Sequence, residues 1–139
     1  MSKHPVTEKL DIAGPAGKLE AILERPGEGA LEGAVVVCHP HPQHGGTMHN
    51  KVAYTLSRAF VRSGFETLRF NFRGTEDSEG SFDNGIGELD DALAALHWLS
   101  DRHPDLPRPE RSCERCGLPV NGYDGGICGP CLRHPPIWD

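Results

Sequence analysis

The chain has 139 residues, room for one ordinary domain or for a partial domain joined to a small module, but not for two full-sized enzymes. Its net charge of −6 argues against a sequence-independent nucleic-acid binder, because such binding depends on Lys and Arg displacing counterions from phosphates. The first nine residues lack the apolar core of a signal peptide, and no segment approaches the roughly 18 apolar residues that span a bilayer. We therefore expect a cytoplasmic protein with no nucleic-acid or membrane partner.

The first forty residues predict three strands. Val6 to Ile12 and Lys18 to Arg25 are short alternating stretches around a turn rich in Gly and Pro, a pattern typical of a β-hairpin. Gly33 to His39 is a continuous apolar run, which indicates a strand covered on both faces inside a parallel sheet. Prolines at positions 40 and 42 end this strand.

A helix and a fourth strand follow. Asn50 to Ser63 is predicted to be helical, with Asn50 as its N-cap and Gly64 as its stop signal. Its apolar positions at helical spacing are Val52, Leu56, Ala59 and Phe60. The next strand is predicted over Phe65 to Phe72.

Helical spacing then returns at four apolar residues: Ile86, Leu89, Leu93 and Leu96. Three acids, Glu88, Asp90 and Asp91, fall in the first turns of this helix, where the helix dipole favours negative charge. We expect the helix to end before Pro104.

The order strand, strand, strand, helix, strand, helix predicts an α/β layer with right-handed crossovers. A further parallel strand would continue this pattern, but the proline-rich stretch Pro104 to Pro109 stands in its place. We therefore predict a boundary near residue 108, with a truncated α/β domain over residues 1–108 and a segment of different character over residues 109–139.

The loop after the third strand is the first candidate site. It reads His-Pro-His-Pro-Gln-His-Gly-Gly from His39 to Gly46, and a glycine pair at a strand-to-helix junction lets backbone N–H groups face a ligand oxygen. Such donors form an oxyanion hole. The candidate oxyanion-loop residues are His39, Pro40, His41, Pro42, Gly45 and Gly46.

This loop resembles the α/β-hydrolase superfamily, in particular small bacterial hydrolases with the signature H-P-H-P-x-x-G-G-x-M-x-N-K-V. The matching residues are His39 to Val52, Leu68 to Gly74 and the turn Ser78 to Gly80, and the resemblance runs from about residue 8 to about residue 107. One departure is Glu76, where the family usually has a second glycine. The resemblance implies serine-dependent hydrolysis of an ester or acyl bond, with the serine on a Gly-x-Ser-x-Gly elbow and an acid and a histidine later in the chain.

No serine of this chain has glycines at the offsets that the elbow requires. The serines are Ser2, Ser57, Ser63, Ser78, Ser81, Ser100 and Ser112. We therefore expect a chain truncated before the nucleophile and not catalytic alone. Two alternatives stay open: a hydrolase completed by another chain or by a surrogate nucleophile such as Ser78, and an interaction module formed by the tail.

Several residues near the loop admit a second interpretation. Four histidines lie within eleven residues and are less favoured as a metal site than as part of the loop: His39, His41, His44 and His49. Cys38 is expected to be a small buried residue, because consecutive strand residues point to opposite faces and it cannot pair with His39 as nucleophile and base. Asp90 and Asp91 are expected to cap or solvate their helix, and Arg69 and Arg73 to make structural ion pairs.

The tail carries the second candidate site, two Cys-x2-Cys pairs formed by Cys113, Cys116, Cys128 and Cys131. Two such pairs supply the tetrahedral sulfur set that structural Zn²⁺ prefers, and a reducing compartment favours metal over disulfides. A redox pair is a weaker alternative. Residues 111–139 resemble the zinc-ribbon start of the competence-associated ComF phosphoribosyltransferase family, but no transferase activity is implied because that family's catalytic loop is absent.

The hydrolase resemblance also implies an open sheet edge. In that arrangement a fifth strand pairs beside the third, so without it Gly33 to His39 would lie at the edge of the sheet. A long apolar edge favours intermolecular pairing, and self-association through this edge is therefore expected. The tail's protein partner is not identified by the sequence.

Overall fold

The computed structural model describes residues 4–105, which form a four-stranded sheet with one helix on each face. The elements are β1 (Val6–Gly14), β2 (Gly17–Arg25), β3 (Gly33–Cys38), a one-turn 3-10 helix (Pro42–His44), α1 (Lys51–Arg62), β4 (Phe65–Phe70) and α2 (Ile86–Asp101). The predicted order of elements is confirmed. The tetracysteine segment lies outside the described residues.

The sheet order is β1-β2-β4-β3. β1 and β2 form an antiparallel hairpin, β2 pairs antiparallel with β4, and β3 runs parallel to β4 with Val36 opposite Leu68. The two later strands end earlier than predicted, at Cys38 and Phe70. Within residues 4–105, β3 pairs on one side only, so it is an edge strand there.

The face of the sheet under α2 carries the apolar core. Alternate residues of β2 and β4 point to this face, and they meet Ala95 and Leu99 of the helix. The fully buried members include Leu19, Leu23, Leu68, Phe70 and Phe72. Burial of a side chain of this size stabilises the fold by about 1.5–3 kcal/mol, so this layer supplies most of the hydrophobic free energy.

The predicted inner face of α2 was wrong. Ile86 is 50% exposed, and the buried positions other than the capping residue Glu88 follow the line Gly87, Asp91, Ala95 and Leu99. An acidic residue lies on that line because Arg73, in the turn after β4, draws Asp91 towards the sheet. Glu88 lies in the first turn as predicted, and it also caps the helix, since its carboxylate accepts from the N–H groups of Asp83 (2.8 Å) and Gly85 (2.9 Å).

The opposite face of the sheet carries a buried polar cluster beside the apolar side chains of Ile22 and Val37. Glu24 and Thr67 point towards α1, and the Ser57 hydroxyl contacts both, at 3.2 Å from Glu24 Oε1 and 2.8 Å from Thr67 Oγ1. Arg69 reaches the same carboxylate, with Nε at 3.3 Å. These buried groups satisfy one another, as a polar layer inside a protein must.

The caps of α1 are as predicted, but its inner face is not. Asn50 Oδ1 accepts from the N–H of Val52 at 2.9 Å, and Gly64 follows the helix with a left-handed φ of 96°. However, Val52 is 64% and Leu56 46% exposed. The buried positions are Ala53, Ser57 and Val61, and the Ser57 hydroxyl is placed by its contacts with Glu24 and Thr67.

Arg73 and Asp91 form a buried ion pair that joins the turn after β4 to α2. The guanidinium contacts the carboxylate through Nε at 3.1 Å and Nη2 at 2.9 Å, and the backbone N–H of Arg73 donates to Asp91 Oδ2 at 3.0 Å. The Asp91 side chain is fully buried. The predicted structural ion pairs of Arg69 and Arg73 are therefore confirmed, while the expectation of a solvated Asp91 was wrong.

None of the helices in residues 4–105 is long and apolar enough to cross a membrane.

Replacement of Asp91 by Ala leaves the Arg73 guanidinium without its buried partner, so we expect the free energy of unfolding to fall by about 3–5 kcal/mol in urea denaturation. Asp90→Ala is the matched control, because the neighbouring side chain is only partly buried. We expect it to change stability by less than about 0.5 kcal/mol. Equal effects of the two substitutions would contradict the role given to Asp91.

Candidate active site

The candidate site lies where the parallel strands β3 and β4 end. Because parallel strands present their carboxyl ends at one edge of a sheet, the loop after β3 and the turn after β4 face each other there. An open cleft of ≈ 380 Å³ separates them. Its lining residues are Pro42, Gln43, Gly45, Gly46, Thr47, Arg73, Gly74, Thr75, Glu76 and Phe82.

His39 joins the two sides of the cleft. It is 3% exposed, its Nδ1 lies 2.7 Å from the carbonyl oxygen of Pro40, and its Nε2 accepts from the N–H of Phe72 at 3.1 Å. A carbonyl only accepts and an amide only donates, so the ring is neutral with its proton on Nδ1. Burial lowers the pKa of His39, which favours this neutral form.

The turn of residues 41–46 is closed by its own backbone. The carbonyl of His41 accepts from the N–H groups of His44 (3.0 Å) and Gly46 (3.1 Å), and the His41 side chain accepts from the N–H of Gln43 at 3.1 Å. A Cβ on Gly46 would lie 1.9 Å from the carbonyl oxygen of Pro40. Close approach of the backbone, which the sequence did not indicate, therefore requires glycine at this position.

Met48 is held by two side chains of the central region of the sheet. Its N–H donates to Asn71 Oδ1 at 2.8 Å, and its carbonyl accepts from Arg69 Nη1 at 2.7 Å. Arg69 and Asn71 are two residues apart, so they point to the same face. The sequence signal for these two hydrogen bonds was the alternation of polar Arg69 and Asn71 with apolar residues between Leu68 and Phe72.

The backbone conformation at Glu76 explains why the family that the loop resembles usually has glycine at this position. Its φ is 46°, in the left-handed region that side chains disfavour. Its carboxylate contacts Asn71 Nδ2 at 3.3 Å and lies 3.8 Å from His49 Nε2. The residue therefore adds a negative group to the lining of the cleft.

Ser78 is a structural residue rather than a surrogate nucleophile. It is buried, and its hydroxyl donates to the carbonyl of Asn71 at 2.6 Å and accepts from the N–H of Glu20 at 2.9 Å. Its proton is therefore held by a carbonyl, which cannot act as a general base. Its role is to tie the turn after β4 to β2.

The four histidines of the loop do not converge on a metal. The rings of His41 and His44 stack edge to face with centroids 4.5 Å apart, but residues 4–105 contain no group of three or more ligating side chains able to hold an ion. Cys38 is exposed, so the expectation of a small buried residue was wrong. An edge strand leaves its last side chain open to solvent, which the apolar sequence around Cys38 does not reveal.

The fold and the loop place the chain among the α/β hydrolases. The model of the X-Pro dipeptidyl-peptidase (S15) family matches residues 17–115, and the chain belongs to this family. The match extends a few residues past the predicted boundary at 108.

Three similar proteins illustrate the relationship. A lidless α/β serine hydrolase of Xanthomonas campestris is 36% identical with a TM-score of 0.67, over 75% of this chain and 49% of that one. An α/β serine hydrolase homologue of Coxiella burnetii is 44% identical with a TM-score of 0.64, over 73% and 47%. An uncharacterized protein of Rickettsia prowazekii is 44% identical over 92 residues, which are 66% of this chain and 38% of that protein. The chain thus spans less than half the length of each.

The two glycines of the turn predict different costs on replacement by alanine. At Gly46 a methyl group would overlap the Pro40 carbonyl, so we expect a loss of about 3 kcal/mol or more in the free energy of unfolding, or displacement of the loop. At Gly45 the space is open and only the φ of 80° is unfavourable, so we expect about 1 kcal/mol. Urea denaturation measures both. Equal losses would show that the contact with Pro40 is absent.

The lowered pKa of His39 predicts a dependence of stability on pH. The unfolded chain takes up the proton near pH 6.5 while the folded chain resists it, so stability is complete above pH 6.5 and falls as the pH drops towards the folded pKa. His39→Gln, which keeps an acceptor for Phe72 N–H and does not titrate, should flatten this part of a stability curve. His97→Gln, at an exposed position, is the control. A curve unchanged by His39→Gln would refute a buried neutral ring.

Proposed function

We propose that residues 39–48 and the turn after β4 form the oxyanion side of a serine-dependent ester or acyl hydrolase. The observation that carries the proposal is the immobilised loop at the carboxyl end of β3, held to β4 through both backbone groups of Met48 and bordering a cleft. Membership of the S15 family and likeness to α/β serine hydrolases support the same reaction class.

The proposed contribution of the loop is electrostatic. In acyl transfer the carbonyl oxygen becomes negative, and each preorganised N–H donor that faces it contributes about 10²–10³ in rate. Such donors are effective only if they do not move during the reaction. His39, Arg69 and Asn71 restrict the loop from three directions, which provides that rigidity.

The nucleophile is not among these residues. The 139 residues contain no Gly-x-Ser-x-Gly sequence, and the Ser78 hydroxyl is held by backbone groups. We therefore infer that these residues do not catalyse hydrolysis alone. Completion by a polypeptide that supplies the nucleophile is the second candidate, and the side of β3 that no strand of residues 4–105 pairs with favours it.

A titration with a small phosphonate monoanion tests the oxyanion proposal directly. In ¹H–¹⁵N spectra we expect saturable shifts of the amides of residues 43–47, and no such shifts with the neutral diester of the same compound. Gly46→Ala should abolish them by displacing the loop. The absence of shifts in the wild-type loop would refute the proposal.

A fluorophosphonate probe tests the missing nucleophile, because it reacts covalently with activated serines. We expect no labelling of the purified chain, with a serine hydrolase as the positive control. Stoichiometric labelling that Ser78→Ala removes would contradict the structural role of that hydroxyl.

We also propose that Cys113, Cys116, Cys128 and Cys131 bind one structural Zn²⁺. The spacing of the two pairs supports it, and zinc ligation supplies on the order of 10 kcal/mol of apparent folding free energy to a segment too short for a large core. Metal analysis should find one zinc per chain, retained in Cys38→Ser and lost in Cys113→Ser. Purified, zinc-supplemented protein without bound metal would refute this proposal.

A further inference from the structure

Two charged side chains line the cleft between the loop and the turn after β4, those of Arg73 and Glu76. The Arg73 guanidinium is only 12% exposed and is bound by the buried carboxylate of Asp91, which compensates its charge inside the protein. The Glu76 side chain is 42% exposed, and no lysine or arginine of residues 4–105 forms an ion pair with it. The cleft therefore carries a negative charge that these residues leave without a cationic side-chain partner.

The neighbours of the Glu76 carboxylate position it without cancelling its charge. Its Oε2 accepts from Asn71 Nδ2 at 3.3 Å, but an amide has no net charge, and the same nitrogen also donates to Glu20 Oε1 at 2.7 Å. The imidazole Nε2 of His49 lies 3.8 Å away, and that side chain is 51% exposed. The field of the carboxylate reaches the loop, because burial lowers the pKa of His39 while Glu76 acts on this pKa in the opposite direction.

The backbone at Glu76 has a conformation that suits glycine better than a larger residue. Its φ of 46° lies in the left-handed region, where a side chain is strained. Strained residues concentrate at binding sites, where the surrounding structure imposes their conformation. The family that the loop resembles usually has glycine here, and glycine supplies no carboxylate. A charge preference that Glu76 confers is therefore particular to this chain.

An aromatic ring lines the same cleft as the Glu76 carboxylate. It belongs to Phe82, and its centroid lies 5.2 Å from that of the His41 ring. A carboxylate attracts a cation through its charge, and an aromatic face attracts it through its quadrupole.

We propose that Glu76 makes this cleft select substrates that carry an ammonium group close to the ester or acyl bond. The inference rests on the proposed function, because the N–H donors of the loop bind the oxygen of the same substrate. Glu76 has the opposite effect on a ligand whose only charge is negative, since the carboxylate repels an anion held by these donors. The preference is thus a difference between two ligands that share one anionic group.

Two phosphonate monoesters test the preference on the full chain. Ethyl methylphosphonate is a monoanion, and 2-aminoethyl methylphosphonate has the same anionic group with an ammonium added. From the amide shifts of residues 43–47 we expect the Kd of the aminoethyl ester to be about three- to fivefold lower, the effect of a partly exposed charge pair. The difference should shrink in about 1 M NaCl, where the Debye length is about 3 Å. Glu76→Gln should abolish it and lower the Kd of the ethyl ester.

Asp77→Asn is the matched control, because it removes the same charge from an exposed neighbour that does not line the cleft. We expect it to keep the difference between the two esters. Glu76→Gly, which also relieves the backbone strain, is a second variant that should abolish the difference in a folded chain. Equal Kd values of the two esters in the wild type, or equal effects of Glu76→Gln and Asp77→Asn, would overturn the preference and leave the oxyanion proposal standing. Binding of neither ester would overturn both.

Discussion

The position of the loop at the site depends on two hydrogen bonds between the backbone of Met48 and the side chains of Asn71 and Arg69. A loop residue normally leaves its backbone groups to water or to its own turn, but here Asn71 accepts the N–H and Arg69 donates to the carbonyl. β4 lies between β2 and β3 and is fixed by a ladder on each side. The loop after β3 therefore takes its position from a strand that is paired on both sides. His39 adds a third tie at Phe72, where β4 runs into its turn.

The two faces of the sheet divide stability and function between them. The layer under α2 is apolar and supplies the hydrophobic free energy of folding. The layer under α1 contains a buried polar cluster, and Arg69 links Glu24 and the ring of Tyr54 to the loop beside the cleft. Buried ion pairs of this kind contribute little net stability compared with apolar packing, because desolvation offsets their attraction. Here the ion pair between Arg69 and Glu24 orients the guanidinium, because several partners hold it in one orientation, and so fixes the donor that binds the Met48 carbonyl.

The sequence predicted the order of elements, the caps of α1 and the loop that borders the cleft. These features depend on neighbouring residues: Asn50 caps the helix that it precedes, and the glycines at 45 and 46 mark the turn that they form. Family resemblance identified Glu76 as unusual before its left-handed backbone supplied the reason.

Features that depend on distant residues could not be predicted in this way. The inner face of α1 is set by Glu24 and Thr67, and that of α2 by Arg73, so counting apolar residues along either helix selected the wrong face. The sequence left Ser78 open as a surrogate nucleophile, but its hydroxyl is hydrogen-bonded to the backbone of Glu20 and Asn71. In each case the position of the residue is determined by a polar group on another element. The spacing of apolar residues along one helix contains no information about that group.

Amide hydrogen exchange at Met48 tests the central claim most directly. In the wild-type protein its N–H should be strongly protected although it lies in a loop, and in Asn71→Ala it should exchange at least tenfold faster while the amides of the β1–β2 hairpin keep their rates. A Met48 amide that exchanges freely in the wild type would contradict the account. So would one whose rate in Asn71→Ala changes only as much as that of the hairpin.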